Sequence, residues 1–281
     1  MSKKSNQVIV EFDASEKTTL IGFLSRNIYE LIIYRYALYN FINTNLSSRY
    51  RRSTIGFFWS LLNPLFTMVI MAIVFSSLYN LPFTQFSLYL FSGLLPWNLI
   101  TTSLINGSVS LITAEAYLKK VYIPKILFPL TSLGVEITNF LFSLISLFLL
   151  SIFLGAGFSI SLLFLPLALL ILSLYLFGLT LLISIVTIYF RDLTHILQIM
   201  LLGLFYFTPV LYQVDMLSDN LREMIKFNPF YYFINIFHLI IYESKIPSIN
   251  EWLPCIVFAI ISAFLGIIVF QKKESDIIYR L

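Results

Sequence analysis

Apolar runs of twenty residues and more recur along this chain, and no other feature restricts its fold so tightly. Wound as an α-helix, about 20 residues match the hydrocarbon thickness of a bilayer. Inside that layer no water reaches the backbone N–H and C=O groups, so a spanning segment must be a helix or part of a closed barrel. Barrel strands alternate apolar and polar side chains over about ten positions. The runs here do not alternate, so the expected fold is all-α and polytopic. Charge content agrees: 11% of the 281 residues are charged, against about 25% in a soluble globular chain.

Six spans are expected, at roughly 57–79, 86–106, 126–154, 162–190, 195–213 and 252–270. The third and fourth are long enough to tilt or to project beyond the hydrocarbon. An even number of crossings leaves both termini on one side. With that side cytoplasmic, fifteen of the 18 Lys and Arg lie in inner segments, and Arg222, Lys226 and Lys245 lie outside. Inner segments carry such an excess by the positive-inside rule. The net charge of +4 is therefore read as a topology signal rather than a nucleic-acid footprint. The single cysteine, Cys255, excludes an internal disulfide and a cysteine metal cluster. Residues 1–19 form a polar extension that does not read as a cleavable signal, and 20–281 form the transmembrane domain.

Three segments outside the spans have their own character. Over 20–46, Arg26, Asn27, Glu30, Tyr34, Asn40 and Thr44 fall in one helical sector while the remainder is largely apolar, with Arg35 opposite. That pattern predicts an amphipathic helix along the cytoplasmic interface. A seventh span is the alternative, disfavoured by Arg26, Glu30 and Arg35 in its middle. Residues 111–125 predict a short charged helix, with Glu115 and Lys119 at i,i+4 and Pro124 ending it. Such a helix serves either to dock a soluble partner or to anchor at lipid headgroups. Residues 214–250, broken by Pro229 and Pro247, hold a thirteen-residue apolar run too short to span, as in re-entrant or interfacial helices.

Several chemistries are missing. None of the ten glycines precedes a lysine, so no phosphate-cradling G-x-x-x-x-G-K-[ST] loop exists. His195 and His238 lack metal-ligand spacing, and no G-x-S-x-G nucleophile occurs. Glu136 is the one acid deep in a span, whereas ion-coupled transporters use several. A transporter of this kind needs an external source of energy, which argues for a partner ATPase.

The approach to the first span, Arg51-Arg-Ser-Thr-Ile-Gly-Phe-Phe-Trp-Ser-Leu-Leu-Asn-Pro64, resembles that of type-2 ABC exporter permeases, in the branch exporting O-antigen, capsule and teichoic-acid polymers. Gly93-Leu-Leu-Pro-Trp97, Leu118-Lys-Lys-Val-Tyr-Ile-Pro124, Tyr189-Phe-Arg-Asp192, Thr208-Pro-Val-Leu-Tyr212 and Asn228-Pro229 follow in the family's order. The likeness covers about residues 20–270. It implies a homodimeric channel in the bacterial plasma (inner) membrane, paired with two copies of a nucleotide-binding subunit. That subunit, not this chain, would bind ATP and magnesium. The resemblance also implies a lipid-linked glycan as cargo, a coupling helix between spans two and three, and outer re-entrant helices before span six.

Candidate residues follow, each with a plainer reading beside it. Arg49, Arg51 and Arg52 suit the diphosphate of a lipid-linked glycan, since guanidinium offers paired donors and permanent charge; simple membrane anchoring is the alternative. Phe58, Trp59, Tyr89, Trp97, Tyr206, Phe207 and Tyr212 are candidates for an aromatic channel lining on which sugar rings slide. Interfacial belts and packing also use aromatic residues. Glu115, Tyr117, Lys119, Lys120 and Tyr122 would engage the ATPase. Arg191 and Asp192 either join them or merely end span four. Glu136 is either a polar clamp between helices or faces a water path. Rival functions are export of a drug or lipid, a membrane-embedded polyprenyl-glycan enzyme, and a structural scaffold. The enzyme would need clustered catalytic acids or histidines, which are scattered here.

Overall fold

The computed structural model describes residues 20–49, 58–153, 155, 157 and 159–281. Its elements are α1 (Leu20–Ile33), α2 (Arg35–Arg49), α3 (Trp59–Tyr79), α4 (Phe83–Ser108), α5 (Ser110–Thr113), α6 (Glu115–Leu118) and α7 (Leu127–Phe153). A 3-10 turn over Ile160–Phe164 leads into α8 (Leu165–Tyr189), then α9 (Leu193–Phe207), α10 (Asp219–Ile225) and α11 (Pro229–Phe237). A π-helical turn, His238–Tyr242, extends α11, and α12 (Ile249–Lys273) and α13 (Ile277–Arg280) close the chain.

Among the described residues, five helices are long and apolar enough to cross a membrane: those over Leu61–Tyr79, Phe83–Ser108, Leu127–Phe153, Ile160–Tyr189 and Ile249–Lys273. The span expected at 195–213 differs. Its helix, α9, has 15 residues and ends at Phe207, so at ~1.5 Å per residue it extends only about 22 Å. Pro209 lacks the N–H that would continue the ladder, and Thr208 before it is extended.

α4 forms the centre, packed against α3, α7, α8, α9 and α11. Its flank residues Leu90, Phe91 and Ile100 are fully buried. α8 and α12 run parallel in close contact. Gly178 lies against the Ser262 backbone and Gly266 against the Gly178 carbonyl, with no room for a Cβ on either. Ser262 Oγ donates to the Tyr175 carbonyl across the same seam at 2.8 Å. Because α8 and α12 point the same way, the chain between them must return along the molecule. α9 makes that return beside α4: Thr194 meets Ser108 at 3.3 Å, and Phe205 reaches Trp97.

The molecule therefore has two distinct ends. At one, Tyr189 Oη donates to Asp276 and lies under Lys273 and Arg280. At the other, α3 closes on Asn80 in the left-handed region (φ 54°), and Tyr79, Tyr89, Tyr212 and Tyr242 gather.

Candidate functional site

The charge-rich end joins three distant stretches of sequence. Arg26 Nη2 donates to Glu274 Oε2 at 2.6 Å, and Arg26 Nε lies 3.8 Å from Glu30 Oε1. Tyr122 Oη donates to Glu30 Oε1 at 3.3 Å, and Lys125 Nζ to the Glu274 carbonyl at 2.6 Å. Helix α1, the segment after α6 and the end of α12 are thus tied together. Burial is the largest influence on Glu30 and holds its carboxyl above the usual range, against the lowering pull of Arg26 and of the Tyr122 bond. Burial, aided by the Glu30 charge, pushes the Tyr122 hydroxyl up to about 12. Burial also lowers Lys125, with Glu274 opposing.

The polar residues of the interface segment divide: Asn27 and Glu30 of α1 turn inward, while Asn40 and Thr44 of α2 are exposed. Asn27 and Glu30 are buried against the protein, whereas Ile28, Tyr29, Ile32 and Tyr36 are exposed. Tyr34 breaks it into two helices without interrupting the hydrogen bonds from Tyr34 N to Glu30 and from Leu38 N to Tyr34.

The helix expected over 111–125 is instead two single turns, α5 and α6, followed by irregular chain to Pro124. The break before α5 falls at Gly107-Ser-Val-Ser, where the Ser108 and Ser110 side chains bond back to nearby carbonyls. The Glu115–Lys119 pair does form, at 2.6 Å. Its bond to Lys119 holds Glu115 below the usual carboxylate range, with a smaller pull from Arg191. Tyr117, Lys119, Lys120, Tyr122, Arg191 and Asp192 are all exposed here. Tyr117 sits edge-on to Phe41 at 5.6 Å, and Phe128 lies 6.5 Å away.

The aromatic candidates divide into two groups. Phe58 and Trp59 at the start of α3, and Tyr206 and Phe207 at the end of α9, are exposed. Tyr89 and Trp97 are buried within the chain's own core, and Tyr212 is half-buried. Trp97 packs between Phe205 and Phe230. Tyr89 Oη donates to the Pro209 carbonyl at 3.1 Å and to that of Tyr212, and its ring stacks on His238 at 4.3 Å. His238 was not a sequence candidate. The Pro209 carbonyl can only accept, so Nε2 carries the proton and donates across 3.0 Å, and Nδ1 receives the Ser92 hydroxyl at 2.7 Å. Arg51, Arg52 and the extension 1–19 lie outside the described residues, as does the side chain of Arg49.

Two cavities open beside Glu136 on α7. One, about 290 Å³, lies between α3, α4 and α7; the other, about 350 Å³, lies between α2, α5 and α7. Glu136, 3% exposed, borders both. Its oxygens accept from Asn106 Nδ2 at 2.9 Å and Asn139 Nδ2 at 3.1 Å. Among the described residues, no three His, Cys, Asp or Glu side chains gather as a metal site.

A family model for "ABC-2 type transporter" matches residues 36–242. The chain is similar to the O-antigen export system permease protein RfbA of Myxococcus xanthus, 26% identical over 253 residues, covering 89% of this chain and 97% of that one. It is also similar to two proteins of that name from Klebsiella pneumoniae. These are 29% and 28% identical over 188 residues, covering 66% of this chain and 73% of each relative.

Proposed function

The chain belongs to the ABC-2 type transporter family, and from that membership we propose that it is the permease subunit of a polysaccharide exporter, driven by a separate ATPase subunit. The cargo is a lipid-linked glycan of the O-antigen, capsule or teichoic-acid kind. Support for that cargo comes from the O-antigen export permeases to which the chain is similar, one of them over 89% of its length.

The structural observation that carries the reading is the pair of uncovered faces on α3 and α9. On α3, Phe66, Ile70, Ile73 and Leu78 are exposed, and on α9 Ile199, Leu202, Tyr206 and Phe207. Two copies meeting through such faces would enclose a conduit with aromatic walls. Phe58, Trp59, Tyr206 and Phe207 would line it, while Tyr89 and Trp97 support it from behind. Flat rings stack on sugar C–H faces without a deep well, so a long polymer slides instead of stalling.

α9 with the chain to Tyr212 completes a sixth crossing, and both termini lie in the cytoplasm of a bacterial plasma membrane. Fifteen of the 18 Lys and Arg then face inward, as the positive-inside rule requires. The charged end carries the ATPase, gripped at Tyr117, Lys119 and Arg191. Movement there passes through the Arg26–Glu274 and Lys125–Glu274 links to α1 and α12. Arg49, Arg51 and Arg52 receive the diphosphate before the glycan enters. The chain performs no covalent chemistry, and ATP with its magnesium stays on the partner.

The test is export in a strain deleted for this chain, complemented with and without a partner ATPase subunit. Surface polymer lost and lipid-linked glycan accumulated inside, both reversed only when the two subunits are present, is the expected result. Normal surface polymer in the deletion strain, or rescue by this chain alone, refutes it.

A further inference from the structure

The segment 115–125 meets the interface helices by two kinds of contact. One is polar and lies at α1, where Tyr122 Oη donates to Glu30. The other is aromatic and lies at α2. Tyr117 of α6 sits edge-on to Phe41 of α2, with ring centroids 5.6 Å apart and planes at 73°. Phe41 leans on Phe128 of α7 at 5.8 Å, and Phe128 lies 6.5 Å from Tyr117. Three rings from three elements therefore close a triangle. Exposure falls across it: Tyr117 is 53% exposed, Phe41 is half-buried and Phe128 is 8% exposed. The ring open to a soluble partner stands one contact away from a ring sealed in the apolar cluster with Leu111 and Leu118.

Behind the rings the packing is open. The cavity of about 350 Å³ has Thr44 and Asn45 of α2 on one side and Ser110 and Thr113 of α5 on another. Packed interiors resist compression and transmit strain, whereas a void does not. A push on α6 thus reaches α2 at the rings and not through the space beside them. An edge-on pair also fixes an angle, since the positive edge of one ring seeks the negative face of the other. An aliphatic side chain at Phe41 would fill volume without that constraint. Beyond the rings the packing is continuous again. A Cβ on Gly134 of α7 would lie 2.6 Å from Ile42 Cδ1, so α2 is seated closely on α7. Farther along α7, Ser146 Oγ donates to the Leu61 carbonyl of α3 at 3.1 Å. α3 carries Phe66, Ile70 and Ile73 on its exposed face, the wall assigned to the conduit.

We infer that Phe41 is a positioning residue for export: acting through Tyr117, it turns displacement of α6 by the ATPase into displacement of α2 and, through α7, of the α3 wall. The inference rests on the exporter reading. It adds a route to the conduit distinct from the links through Glu274 to α1 and α12.

The test uses the full chain with its ATPase, both in the complemented strain and purified in lipid nanodiscs. Phe41→Ala should leave co-purification of the ATPase and its hydrolysis rate near wild type. Surface polymer at equal expression should fall about tenfold, the upper range for loss of an aromatic pair. Phe41→Trp, which restores a ring, should keep most of the export; Phe41→Leu, which fills space without one, should not. Trapping wild type with ATP and vanadate should alter amide hydrogen exchange over both 115–122 and 36–48. In Phe41→Ala and Phe41→Leu it should alter 115–122 alone, a difference that a merely structural role would not produce. If Phe41→Ala does not fold, Phe41→Leu carries the same comparison. Normal export by Phe41→Leu, a wild-type α2 that does not respond to trapping, or loss of ATPase co-purification in both variants overturns the inference. Wild type separates the two failures. If it restores surface polymer with the ATPase and Phe41→Leu does so equally, only the role of Phe41 is lost; if wild type does not restore export, the exporter reading falls with it.

Discussion

Glu30 shows at the scale of one residue how burial and partners compete. Burial outweighs the Arg26 charge and the Tyr122 hydroxyl, so its carboxyl ionises above the ordinary 4.5. A carboxyl raised in the folded state binds its proton more tightly there than in the unfolded chain. Its contribution is complete below the unfolded pKa and is lost as pH rises through the folded one. Thermal unfolding of the purified protein should therefore show a stability loss as pH rises above the ordinary carboxylate range that Glu30→Gln diminishes; superimposable pH dependences would refute this. Gly178 and Gly266 make the opposite kind of prediction, set by space alone. A side chain on either must push α8 from α12, so Gly266→Val should cost about 1–3 kcal/mol or more, read as a lowered unfolding temperature in detergent. The sequence displays glycines and aromatics but not their surroundings. Trp59 and Trp97 both occur in span motifs, yet one is exposed and the other buried, because burial depends on α9 and α11 folding back over α4. His238 was illegible for the same reason: its partner Ser92 is 146 positions away.

Helices were far more legible than contacts. The long apolar runs mark five of the elements directly, since a twenty-residue run in lipid has one way to satisfy its backbone. The helices end short of the expected bounds where local chemistry interrupts the run. Pro209 shortens α9, and back-bonding serines with Pro124 break the 110–125 stretch into single turns. The interface segment was read as one amphipathic helix, but helical periodicity does not say which face meets protein. In α1 its polar residues are used inward, on Glu274 and Tyr122. Arg26→Ala should release that docking and accelerate amide hydrogen exchange across α1 while leaving α8 and α12 unchanged; unaltered exchange in α1 would count against the linkage. On α6, Tyr117→Ala and Lys119→Glu should each reduce co-purification of the ATPase several-fold. Undiminished binding in both would remove this end as the docking place.

For the whole molecule the distribution of charge sets orientation, and a chemical accident makes it easy to check. Cys255 is buried and is the single cysteine. With Cys255→Ser as background, a cysteine at Lys119 should react with an impermeant thiol reagent in inverted vesicles alone, and one at Lys245 in intact spheroplasts alone. Both reacting from one side would invert the topology argument. The far end carries another consequence. Tyr89, Ser92, His238 and the Pro209 and Tyr212 carbonyls are bonded to one another, so the chain after α9 and the turn after α11 are fastened to α4 at a single knot. Lifting α11 alone would strand several buried polar groups at about 1–3 kcal/mol each. Such openings are rare excursions, which matters in a membrane that stores energy as an ion gradient. A membrane protein closed at this end by a loose loop would leak protons, whereas one closed by mutually bonded buried groups would keep a gradient.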